Sequence, residues 1–137
     1  MNRRVGTLLM LLTTGFLWTA QAGGSGRITQ AVLSSMKDGA ARDVIPPDAP
    51  RVWLRLDLAE TPPGTTLRCA FIATSTGVAP PDYRIDEVTL RVGGAINRAY
   101  CSLSRPNAGW PPGEYRVEVF LGQTEQPTLT LTFKVSP

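Results

Sequence analysis

The chain has 137 residues, with 14 Lys plus Arg against 11 Asp plus Glu, two cysteines and no histidine. The missing histidine excludes Ser-His-Asp and Cys-His nucleophilic sites, imidazole acid–base chemistry and most zinc or copper centres, and two cysteines alone cannot complete a tetrahedral zinc shell. Setting aside Arg3 and Arg4, which fall in a leader, the balance is 12 against 11, or +1, which gives no electrostatic case for nucleic acid or an anionic membrane as partner.

The leader is Met1 to Ala22. Arg3 and Arg4 precede an apolar run from Val5 to about Trp18, and Ala20-Gln21-Ala22 is a small-x-small cleavage pattern. The run falls short of the roughly 20 residues a bilayer-spanning helix needs. It reads as a cleaved secretory signal peptide, with an uncleaved anchor as the alternative. Export to the periplasm or the outside is expected, with no membrane insertion after cleavage. About 115 residues then remain, enough for one domain of ordinary size.

Residues 23–50 read as a flexible or partly ordered segment. Gly23-Gly24-Ser25-Gly26 is linker-like. Ile28, Ala31, Val32 and Met36 suit one face of a short helix, but the same stretch tolerates a first strand. Pro46-Pro47-Asp48-Ala49-Pro50 then interrupts regular structure before a domain over residues 51–137.

From Val52 the apolar period becomes two. Val52, Leu54, Leu56 and Leu58 alternate with Trp53, Arg55 and Asp57. After Thr61-Pro62-Pro63-Gly64 comes a second alternating set, Leu67, Cys69, Phe71 and Ala73, and the short turn predicts that the two strands are antiparallel neighbours. Further strands are expected over Ile85 to Val92, Arg98 to Ser104, Tyr115 to Leu121 and Leu129 to Val135. Cys101 and Leu103 should look toward Cys69. Six or seven short strands with regular turn signals predict an all-β, antiparallel β-sandwich.

In an exported chain Cys69 and Cys101 are expected to form a disulfide, the competing reading being two unpaired buried thiols.

The run Trp110-Pro111-Pro112-Gly113-Glu114-Tyr115-Arg116-Val117-Glu118-Val119-Phe120-Leu121, closed by Leu129-Thr130-Leu131-Thr132-Phe133-Lys134-Val135, resembles the last hairpin of immunoglobulin-like and fibronectin type III-like modules of exported bacterial proteins. The resemblance implies a sandwich in which Gly113 and Tyr115 form a structural corner, the tyrosine hydroxyl bonding nearby backbone. The cysteine spacing is short for an antibody-type domain, and no Trp lies between the two cysteines. Modules of this fold bind partners, act as chaperones or inhibitors, or space larger proteins, so the fold does not select a function.

Candidate chemistry is sparse. Ser34-Ser35-Met36-Lys37 matches Ser-x-x-Lys, but neither Ser-Asp-Asn nor Lys-Thr-Gly accompanies it. Glu114 and Glu118 flank Arg116, and Asp86-Glu87 opens another strand; both pairs read as solvated strand faces. No enzyme activity, metal or cofactor is expected. Trp53, Trp110, Tyr83 and Tyr100 are the candidate partner-binding residues, Trp110 having the alternative of a lid over one end of the sandwich. The expected function is non-enzymatic binding of a protein partner in the cell envelope, as an accessory, inhibitor or immunity factor. The alternative is a carbohydrate or cell-wall binding module using the same aromatics.

Overall fold

The computed structural model describes residues 26–137, all strand and loop. The expected signal peptide, Met1 to Ala22, lies outside the described residues. Eight strands run in chain order: β1 (Arg27–Ser34), β2 (Val44–Ile45), β3 (Arg51–Ala59), β4 (Thr65–Thr76), β5 (Tyr83–Val92), β6 (Arg98–Ser104), β7 (Gly113–Leu121) and β8 (Leu129–Val135). They form two sheets, β1-β3-β6 and β2-β8-β7-β4-β5. Every pairing is antiparallel except β2 with β8. The all-β sandwich is as expected, but it has eight strands in place of six or seven and one parallel pairing, because β1 and β2 precede residue 51.

The strands form where apolar residues alternate, and each buries one face against the other sheet. Val52, Leu54, Leu56 and Leu58 of β3 face Leu67, Cys69 and Phe71 of β4 and Val117 and Val119 of β7 in one core, all less than a tenth exposed. Cys69 and Cys101 are disulfide-bonded, Cα to Cα 6.7 Å, and tie β4 to β6 across the two sheets. Closing that loop contributes about 3 to 4 kcal/mol in the chain-entropy account.

Two expectations need correction. The turn at Thr61–Gly64 does not join neighbours: β3 lies in the first sheet and β4 in the second, so the connection passes from one sheet to the other over the end of the core. A short Pro-Gly turn serves either connection, and both strands satisfy the same alternation, so the pattern did not separate a hairpin from a sheet-to-sheet crossover. The sandwich also begins at Arg27 rather than at residue 51. β1 pairs with β3 along its whole length, and β2 pairs with Lys134 and Val135 of β8. The segment left open between helix and strand is thus a strand.

The loops gather at two ends. Arg105 N donates to Pro50 O and Trp110 N to Pro47 O, joining the β2–β3 and β6–β7 connections at the lower end. At the upper end Gly94 N donates to Thr61 O, joining β5–β6 to β3–β4.

Candidate functional site

At the lower end, the side where β5 and β6 are the outermost strands holds an apolar cleft of about 170 Å³. Its inner wall is an aromatic stack. Tyr115 packs nearly parallel to Phe133, ring centroids 5.1 Å apart, and Trp110 meets Tyr115 edge-on at 6.3 Å. The Tyr115 hydroxyl donates to the Pro111 carbonyl, four residues upstream. Burial pushes the Tyr115 phenol above its ordinary pKa. Gly113 at the start of β7 has φ +147°, and a Cβ there would come within 2.4 Å of Ser75 O. Gly113 therefore lets β7 approach β4 closely just before the tyrosine.

Trp110, expected among the exposed aromatics, is buried to 2% exposure and donates from Nε1 to Ala49 O at 2.8 Å. The prolines around it do not hold the ring out to solvent. They turn the chain so that the indole folds back over the core and finds a carbonyl for its one donor. Of the two readings of Trp110, the structure has the lid.

Tyr83 stands at the mouth of the cleft, 52% exposed, opposite Val78 at 76%. Ile85 and Leu103 continue the walls. The fold thus brings Tyr83, Trp110 and Tyr115 into one site. Sequence reading passed over Val78, although an apolar residue in the loop Gly77-Val78-Ala79-Pro80 was a legible signal, since a turn gives it nothing to pack on.

Trp53 and Tyr100 form a separate cluster on the outer face of the first sheet, rings edge-on at 6.4 Å. The loop after β1 lies over them. Lys37 Nζ sits 4.8 Å from the Tyr100 centroid and 6.0 Å from that of Trp53, and the Arg51 guanidinium is 5.8 Å from Trp53. The Tyr100 hydroxyl donates to Asp38 at 2.6 Å, and that bond raises the phenol's pKa. Both aromatics are half-buried.

The remaining candidates are dispersed. Ser34 is buried and its Oγ accepts from Met36 N, while Lys37 points to Tyr100, so serine and lysine are not brought together. On the outer face of the second sheet Arg116 bonds Glu118 at 2.9 Å and Asp82 at 2.7 Å. Glu87 pairs with Arg84 and with Arg68, whose guanidinium covers the Phe120 ring at 4.2 Å. Phe120 is on the outer face of the second sheet but is buried with Ala70 and Ile72 under that arginine. Among the described residues no three His, Cys, Asp or Glu side chains gather as a metal site.

No known family model matches the chain, and no curated protein matches it in sequence. Among solved structures it is similar to an immunoglobulin-like protein from Pseudomonas aeruginosa, with TM-score 0.52 and 21% identity over 84% of this chain and 99% of that one. It also resembles part of an alkylpurine DNA glycosylase from Pseudomonas fluorescens, solved with DNA containing an abasic site analog (TM-score 0.52, 14% identity, 84% of this chain and 31% of that one). A β-glucosidase from Listeria innocua aligns at TM-score 0.44 and 10% identity over 79% of this chain and 16% of that one. At these identities the likeness is one of architecture, and the chain has an immunoglobulin-like fold.

Proposed function

We propose that this is an exported, non-enzymatic binding protein that grips an apolar side chain of a protein partner in the cleft between β5 and β6. The observation that carries the reading is the cleft itself: an almost wholly apolar lining, a volume of about 170 Å³ suited to one large aliphatic or aromatic side chain, and two exposed apolar residues, Val78 and Tyr83, at its mouth. Buried pockets that accept a single anchor side chain are where binding energy concentrates in protein interfaces. The disulfide suits an oxidising compartment, in keeping with the expected signal peptide. An accessory, inhibitory or immunity role in the cell envelope is consistent with one small domain presenting one such pocket.

The glycan reading has less support. Sugar stacking needs an open ring face, whereas Lys37 and Arg51 already lie against Trp53 and Tyr100. The deciding experiment is in-cell photo-crosslinking from position 83, with position 53 as comparison, followed by mass spectrometry. One envelope protein captured from position 83 and lost with Val78→Asp is the expected result. Retention on peptidoglycan that disappears with Trp53→Ala, and no protein from position 83, would replace the protein-binding reading with the glycan one.

A further inference from the structure

The sandwich has four outer strands, and they differ in how their unpaired backbone is protected. Exposed edges invite pairing with another chain, and natural sheets guard them with charges, bulges or brevity. β5 carries a bulge where Phe71 and Ile72 of β4 meet Asp86 and Arg84, and Arg84, Asp86, Glu87 and Arg91 stand along it. Its Glu87 N–H is already taken by the Asp86 carboxylate at 2.8 Å. β1 has a bulge between Ile28 and Gln30 and an ion pair from Arg27 to Glu60. β6 opens with Arg98, ion-paired to Asp57.

The edge of β8 is different. Among the described residues only β2 covers this edge, at Lys134 and Val135, and Leu129-Thr130-Leu131-Thr132 continues above it without a charge and without a break in register against β7. Lys134 N donates to Asp43 O and Ser136 N to Ile45 O, so the even-numbered residues of β8 point their backbone groups away from β7. By the two-residue alternation of an antiparallel ladder, Thr130 and Thr132 present N–H and C=O to the open edge. Beside that edge a shallow groove of about 470 Å³ runs between the sheets, with Ile28 and Ala31 of β1 on one wall and Leu129 and Leu131 on the other. These four are half-buried at the margin of the core and leave apolar surface for the inward side chains of one further strand.

We propose that the Leu129–Thr132 edge and the adjoining groove form a strand-addition site for an extended segment of a partner protein, uncharged and with apolar residues at alternate positions. Three features select that occupant. The edge offers backbone donors and acceptors in strand register, among the described residues the groove is lined by no ionisable side chain, and β2 already occupies the lower part of the same edge as a strand. The site is on the opposite side of the sandwich from the β5–β6 cleft and does not rest on that reading.

The test uses a capped heptapeptide alternating valine and threonine, added to the purified protein while amide exchange is followed residue by residue. At about ten times the dissociation constant, exchange at Thr130 and Thr132 slows by roughly tenfold, with no such change along β5. Thr130→Pro removes one outward N–H and spares the bonds to β7; it should abolish the protection while the fold persists, and Thr132→Pro serves if the first variant does not fold. A peptide interrupted by proline should not bind. Unchanged exchange at Thr130 and Thr132 with millimolar peptide overturns the proposal. So does sedimentation showing a dimer of the protein alone that Thr130→Pro dissociates, which would make a second copy the occupant.

Discussion

The two ends of the sandwich are closed by different means. At the lower end side chains add to the backbone bonds: Trp110, Tyr115 and Phe133 pack ring on ring, with the indole and phenol bonded to carbonyls of the proline-rich connections. The upper end is held by backbone. Gly93 exchanges hydrogen bonds with Ile96 in a tight turn, and its φ is +104°. A Cβ at Gly93 would lie 1.9 Å from Pro62 O. Large rigid rings stabilise by buried area but leave a gap where their edges do not meet, and the cleft lies against them. The cleft and the anchoring of the lower end thus have the same origin.

The contrast predicts that removing ring atoms damages the lower end most, and that the upper end, where Gly93 lies against Pro62, is damaged by adding them. The largest loss is expected for Trp110→Ala, about 3 to 5 kcal/mol, from an enlarged cavity and an orphaned Ala49 carbonyl, measured by urea unfolding. Gly93→Ala adds one methyl to the upper end and should cost about 2 to 3 kcal/mol through positive-φ strain and the approach to Pro62, with Tm as readout. A cost below that of an ordinary surface substitution would break the comparison.

Next comes Tyr115→Phe, which keeps the ring and deletes the hydroxyl, at about 1 to 2 kcal/mol. It also carries a pH signature. Because burial raises the folded phenol's pKa, the contribution of the neutral phenol is complete below the ordinary tyrosine value of about 10 and is lost as pH rises through the folded value. Alkaline titration of stability should therefore flatten in the phenylalanine variant. The smallest effect is Val78→Asp, within about 0.5 kcal/mol for so exposed a residue, although it places a charge at the mouth of the apolar cleft. A larger loss would mean that Val78 supports the lower end as well as rimming the cleft.

The strands from β3 to β8 were legible because most of their apolar residues alternate, even where bulges shift β4 against β5 and β7, and the alternation of Tyr115 to Leu121 and Leu129 to Val135 gave the closing hairpin within two residues. β1 was ambiguous for a physical reason: its bulge between Ile28 and Gln30 breaks the two-residue period and leaves apolar spacings that a helix also satisfies. β2 is two residues long and has no period to read. The site was only half legible. Of the candidate aromatics Tyr83 and Trp110 reach the cleft, with Tyr115 expected only as the corner, but whether a tryptophan beside prolines faces out or in depends on what the Pro46–Pro50 segment offers it, and Ala49 lies 61 residues from Trp110 along the chain.

The disulfide has a mechanical consequence. Cys69 and Cys101 enclose most of β4, all of β5 and the first half of β6, whereas β1, β2, β3, β7 and β8 lie on the chain outside the loop. A pull on the two ends is carried through the sulfur bridge and bypasses the enclosed segment. The separation of 32 residues removes about 110 Å from the length the chain can release under load, and only a reductant can return it. Under tension the molecule would shed its terminal strands and then stop, with β5 still folded back between its two anchors.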